Sequence, residues 1–141
     1  MKKKQKNKKV LIIGERFADN RRNSFVFKYG QSAKRVRKWF NKTNYNDMIE
    51  IADMINAFPN YHDYNTLMNY IIDKNYKIIF LLGRVARRVL FSNTKKTMII
   101  INCNKRKFIL LPHPSGRNFS CNHKDKKIKK LIKRTLYKNE S

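Results

Sequence analysis

Apolar residues fall along this chain in two rhythms. Val10-Leu11-Ile12-Ile13-Gly14 and Ile78-Ile79-Phe80-Leu81-Leu82-Gly83 are short unbroken runs that each end in glycine. Continuous apolar runs of this length predict strands buried on both faces, as in a parallel sheet. Thr97 to Asn102 and Lys107 to Leu111 predict two further strands, separated by the polar turn Asn104-Lys105-Arg106. Elsewhere the spacing is helical. Ser32 is placed to cap a helix through Phe40 in which Val36, Trp39 and Phe40 share a face. Asp47 and Glu50 have the spacing of a capping box, and Met48, Ile51, Met54 and Ile55 follow at helical intervals, with a strand near Ile55 as the alternative. Pro59 ends that element. His62 to Asp73 reads as a helix with Leu67, Tyr70 and Ile71 inward, and Val85 to Leu90 as a short one. Lys124 to Tyr137 is a basic amphipathic helix carrying Ile128, Leu131, Ile132 and Leu136 on one side. Strands alternating with helices predict an α/β three-layer sandwich around a central, mostly parallel, four-stranded sheet.

In such sheets ligands bind beyond the carboxyl ends of the strands. Two candidate loops lie there. Gly14-Glu15 opens the first, and a long polar stretch without a clean period follows it to Gly30. Long structureless loops in small domains tend to serve function. The other loop is Leu111-Pro112-His113-Pro114-Ser115-Gly116-Arg117-Asn118. Its two prolines fix φ on either side of His113 and remove two backbone donors, so the chain must leave the sheet at that point. An imidazole is thereby delivered to the sheet edge with a hydroxyl, a glycine and an amide behind it. His113 is the strongest functional candidate in the chain.

Composition changes the picture in one respect. Across 141 residues, 34 lysines and arginines stand against 9 acids, a formal charge of +25. A compact domain so charged repels itself unless a polyanion supplies counter-charge, and nucleic acid is the polyanion expected. Lys2 to Lys9 holds six lysines and no apolar residue, and predicts a basic tail over residues 1–9. One domain over 10–138 and a short C-terminal tail over 139–141 complete the expected organisation. No apolar run reaches the roughly 20 residues of a membrane span, and no signal-peptide pattern follows the first lysines. The expectation is an intracellular, cytoplasmic or nucleoid-associated monomer without a membrane partner. Cys103 and Cys121 are too few for a disulfide framework and read as two reduced thiols. His62 and His123 have no partner pattern for a metal, and no cofactor is expected. Arg84, Arg87 and Arg88 read as a solvated basic helix face with generic phosphate contact as its use.

Four stations in order resemble the uracil-DNA glycosylase superfamily. Leu11-Ile12-Ile13-Gly14-Glu15 resembles the strand and first motif of the branch whose loop begins Gly-Glu, and Asp53-Met54-Ile55-Asn56 the segment ending in the base-reading asparagine. Leu81-Leu82-Gly83-Arg84-Val85-Ala86 resembles the family's strand-to-helix turn. Leu111 to Asn118 is similar to the last motif, close to the His-Pro-Ser-Pro-Arg-Asn form of the single-strand-selective members. The resemblance implies a uracil-DNA glycosylase-like fold and hydrolysis of the N-glycosidic bond of uracil, or a related pyrimidine, flipped out of DNA. It assigns catalysis to Glu15 and His113, and substrate contact to Gly14, Arg16, Phe27, Tyr29 and Asn56. Ser115, Gly116, Arg117, Asn118 and Phe119 would meet DNA, the first two at a phosphate and the last three where a wedge enters the stack.

The chain also departs from the pattern. Arg16 and Phe17 follow Gly14-Glu15 where the family usually has an aspartate, an asparagine or a small residue and then proline. At the position of the stacking aromatic stands Lys28, between Phe27 and Tyr29. The four cysteines of the cluster-bearing branch are absent. Two further readings therefore stand beside the enzyme: a protein of this fold that binds DNA or a flipped base without chemistry, and a general basic nucleic-acid or ribosome-associated protein. The second of these leaves the proline-bracketed histidine unexplained.

Overall fold

The computed structural model describes residues 9–15, 27–28, 30–115 and 119–137, the last stretch with its side chains from Lys124 onward. Five strands form one sheet: β1 (Val10–Gly14), β2 (Asp53–Asn56), β3 (Ile78–Leu82), β4 (Ile99–Cys103) and β5 (Arg106–Leu111). Their order is β2-β1-β3-β5-β4. All neighbours run parallel except β4, which lies antiparallel on β5. Asn104 and Lys105 join that pair with positive φ at both residues, the left-handed two-residue turn that suits a hairpin.

Five helices complete the layers: α1 (Gln31–Trp39), α2 (Tyr45–Ile51), α3 (Tyr64–Lys74), α4 (Arg84–Leu90) and α5 (Phe119–Tyr137). Alternate strand residues go to opposite faces. Ile12, Phe80, Leu82, Ile109 and Leu111 pack with Val36, Trp39, Met48, Ile128 and Ile132 of α1, α2 and α5. On the other face Leu11, Ile13, Ile79, Leu81, Phe108 and Leu110 pack with Leu67, Ile71, Ala86 and Leu90 of α3 and α4. Both faces are covered, which is why these strands read as unbroken apolar runs. The indole of Trp39 donates to Asp125 Oδ1 at 2.7 Å, tying α1 to α5 across the core.

The sheet has five strands where the sequence predicts four. The addition is β2, in a segment whose Met48-Ile51-Met54-Ile55 spacing predicts a continuing helix. α2 instead stops at Ile51, Ala52 turns extended (φ −153, ψ 150), and the next four residues pair with β1 from Leu11↔Asp53 to Gly14↔Asn56. Backbone pairing with a strand forty residues away overrides local period. Tyr76 anchors the start of β2 by donating its hydroxyl to Asp53 Oδ2 at 2.5 Å. Burial, with that hydrogen bond second, raises the phenol above its ordinary pKa.

Helix starts also differ from expectation. Ser32 lies inside α1, whose N-cap is Gly30, without a side-chain cap. Asn44, not Asp47, caps α2: its Oδ1 accepts from the Asp47 amide at 2.8 Å. Asp63 caps α3 in the same way through Thr66. Arg87 is a further correction. Its side chain is buried, its Nε donates to Thr94 O at 2.9 Å, and burial lowers its guanidinium from the ordinary pKa, helped by Arg88 and Arg84. It holds the 91–94 turn and is not part of a solvated face.

Candidate active site

The order in which strands are added to the sheet switches sides at β1, since β2 lies on one side of it and β3 on the other while all three run parallel. A crevice opens at the carboxyl ends of strands at such a switch. Glu15 follows β1, Gly83 follows β3, and His113 follows β5 by one proline. All three meet. Glu15 Oε1 lies 3.5 Å from His113 Nε2, and Glu15 Oε2 accepts from the Val85 amide at 3.3 Å. That amide belongs to the first turn of α4, where backbone N–H groups lack helical partners and favour a carboxylate. Both side chains remain partly open, 33% for His113 and 26% for Glu15.

The tautomer of His113 follows from its other nitrogen. The Ser115 amide donates to His113 Nδ1 at 3.0 Å. An amide N–H can only donate, so Nδ1 holds a lone pair and the proton of the neutral ring sits on Nε2. The donor therefore points into the crevice, toward Glu15. The loop behind it is braced by Arg35, whose Nη1 donates to Ser115 O at 3.4 Å while its Nε stands 3.8 Å from Asp125 Oδ1.

Two glycines make the room. A Cβ on Gly83 would lie 2.8 Å from Glu15 Oε2 and 2.9 Å from His113 Cδ2. Gly83 also has φ +94, a conformation that L side chains rarely adopt. A Cβ on Gly14 would lie 2.5 Å from Asn56 Oδ1 and 2.6 Å from Phe27 Cζ. Asn56 and Phe27 therefore close over the backbone of Gly14, beside the carboxylate and imidazole.

Phe27 reaches this place through a left-handed residue of φ 61. Arg37 Nη1 donates to the carbonyls of both Phe27 and Lys28, at 3.2 and 3.3 Å, which fixes the turn. Lys28, the residue aligned with the stacking position, turns away, its ammonium 5.2 Å above the Tyr45 ring. A ring is thus present over Gly14 although alignment of the motif puts a lysine there.

The structure thus brings Gly14, Glu15, Phe27, Asn56 and His113 to one crevice and sets Ser115 directly behind the imidazole. Arg16, Tyr29, Gly116, Arg117 and Asn118 lie outside the described residues, as does the side chain of Phe119, whose backbone begins α5. Sequence reasoning overlooked Gly83 as a wall, the Val85 amide, and the arginine supports Arg35 and Arg37. Repetition of the strand-then-glycine pattern was the available signal for Gly83; nothing local marks the arginines. Among the described residues no three His, Cys, Asp or Glu side chains gather to hold a metal ion. His62 instead has its Nδ1 2.8 Å from Pro59 O and its ring stacked on Phe58.

The model of one family, the uracil DNA glycosylase superfamily, matches residues 1–136. The chain belongs to that superfamily. Membership supports a glycosylase-type hydrolytic function in DNA repair and, since members bind DNA, a nucleic-acid partner. Comparison with curated proteins one by one finds no match. No helix among the described residues is long and apolar enough to cross a membrane.

Proposed function

We propose that the protein is a DNA glycosylase that hydrolyses the N-glycosidic bond of uracil, or of a modified pyrimidine, extruded from DNA. The observation that carries this reading is the meeting of Glu15 and His113 beside Asn56 and Phe27. Extrusion is needed because the bond is out of reach within the stack. The ring of Phe27 offers the extruded base a stacking surface, and the Asn56 amide offers paired donor and acceptor atoms to its edge. As the C1′–N1 bond breaks, its electron pair leaves with the base and the sugar becomes cation-like. His113 Nε2–H is the donor for the carbonyl oxygen on which the negative charge gathers, a role worth about 3–4 kcal/mol. A neutral imidazole suffices for it. The Glu15 carboxylate faces the developing sugar cation and orients the water whose oxygen bonds to C1′, its proton passing to solvent or to the departing anion. Ser115 and Gly116 would hold the phosphate beside the flipped nucleotide, with Arg117, Asn118 and Phe119 at the gap in the stack.

The test is release of free base from single-stranded and duplex oligonucleotides that contain uracil. Release by the wild type, lost in both His113→Ala and Glu15→Gln, supports the proposal. Tight binding without release would instead favour a base-binding protein that does no chemistry. Binding indifferent to uracil and untouched by His113→Ala would leave only a general basic protein.

A further inference from the structure

A cavity of about 500 Å³ lies outside the crevice, against the exposed side of α1. Six of its lining residues are cationic: Lys34, Arg35, Arg37, Lys38, Lys42 and Lys129. None of the lining residues is acidic, and of the lining cations Arg35 stands 3.8 Å from Asp125 Oδ1. A second cavity of about 320 Å³ continues it, sharing Asn41, Lys42 and Lys129. There the lining changes, with Leu136 and the exposed Tyr137 beside Lys130 and Lys133, together with the edges of the otherwise buried Trp39, Phe40 and Ile132. Tyr137 is 48% exposed. The first cavity is also lined by Pro114, the residue after His113, and by Arg35, which holds Ser115. One end of this seam therefore begins a single residue from the imidazole.

We propose that the seam between α1 and α5 is a second nucleic-acid site, which holds the phosphate backbone of the DNA strand beyond the extruded nucleotide. Its place as the continuation of the substrate strand rests on the glycosylase reading; its affinity for DNA does not. Six clustered cations, of which Arg35 pairs with Asp125, suit a ligand of repeated negative charge, and each phosphate contact releases counterions. The exposed ring of Tyr137 in the second cavity suits a chain in which bases alternate with phosphates, since every base has a face to stack. Free phosphate or a carboxylate peptide would use the cations and leave that ring bare.

The experiment compares two triple variants of the full chain with equal change in net charge. Lys34→Gln, Lys38→Gln and Lys42→Gln empty the seam of three cations but spare Arg35 and Arg37, which support the crevice. Lys74→Gln, Lys77→Gln and Lys105→Gln remove three at the amino ends of β3 and β5, the opposite edge of the sheet. Affinity for an undamaged oligonucleotide is measured over a salt series. The seam triple is expected to flatten the slope of log K against log[salt] by about 2, with the control triple unchanged. Replacing the same three lysines by arginine restores the slope, and Tyr137→Ala weakens single-strand binding severalfold without altering it. Equal flattening by both triples would mean diffuse attraction and would overturn the proposal, as would an unchanged slope in the seam triple. If the wild type released no base while the seam result held, the reaction assignment would fall and the binding site would stand.

Discussion

Gly14 and Gly83 close almost interchangeable stretches of sequence, yet they serve different ends. Each ends an apolar run and each is hemmed in by site residues. Gly14 is still in the strand, and only crowding by Asn56 and Phe27 excludes a side chain there. Gly83 has already left its strand, caps α4 with φ +94, and lies under Glu15 and His113. One glycine guards the corner of Asn56 and Phe27, proposed above to meet a base, and the other the corner where carboxylate and imidazole meet. Their difference shows that a repeated pattern can supply one shape twice while the neighbours assign the work.

The sharpest way to break this division is at the charged corner. His113→Ala is expected to slow base release by about 10²–10³-fold at saturating substrate, with affinity for uracil-containing DNA little changed. Single-turnover rates beside equilibrium binding measure both. Next comes Gly83→Ala, expected to cut release by roughly 10²-fold because Glu15 and His113 must both shift. It should also cost about 1–3 kcal/mol of stability in urea unfolding, since its backbone conformation is essentially confined to glycine. An unaffected rate would show that the two side chains yield freely and that Gly83 is a cap and nothing more.

At the other corner Gly14→Ala pushes on Asn56 and Phe27 and is expected to weaken binding of uracil-containing over undamaged DNA by about tenfold, an estimate from the cost of one misplaced polar contact. The rate at saturation should fall less than in Gly83→Ala. Arg37→Met frees the Phe27 turn by removing a charged donor from two carbonyls, at a cost of about 1.5–3 kcal/mol where the bonds are fully formed. The same discrimination should weaken, to a smaller extent. Gly30→Ala supplies the smallest effect on activity. Gly30 shares the backbone conformation of Gly83, but a Cβ there would meet nothing within 4 Å. Stability should drop as for Gly83→Ala while base release stays as in the wild type.

Much of the fold was legible because burial writes itself into composition. The runs ending at Gly14 and Gly83 and the hairpin before His113 appear close to their predicted bounds, while the terminal amphipathic helix ends as predicted at Tyr137 but starts at Phe119 rather than Lys124. β2 was legible only as the alternative to a continuing helix, since its four residues, all of intermediate burial, carry no clear period and owe their form to β1. Within the crevice, Glu15, Asn56 and His113 were legible through motif resemblance. The aromatic was legible only to within a residue: a left-handed turn and Arg37 decide that Phe27 enters and Lys28 leaves. The support of Ser115 by Arg35 joins residues remote in sequence, and the bond from Arg87 to the Thr94 carbonyl depends on how the chain turns after α4, so neither shows in the apolar spacing.

Alone, the amino-acid sequence determined the layered α/β class, the family, the excess of positive charge and the identity of the central imidazole. These follow from residue chemistry and short-range spacing, which act before the chain is folded. Tertiary structure decided which nitrogen of His113 bears the proton, which ring covers Gly14, and where six of the cations gather into a groove. The first depends on how the loop from His113 to Ser115 is held, with Arg35 on the Ser115 carbonyl, and the groove on bringing Lys34 and Lys129 together; such contacts exist only once the chain has folded.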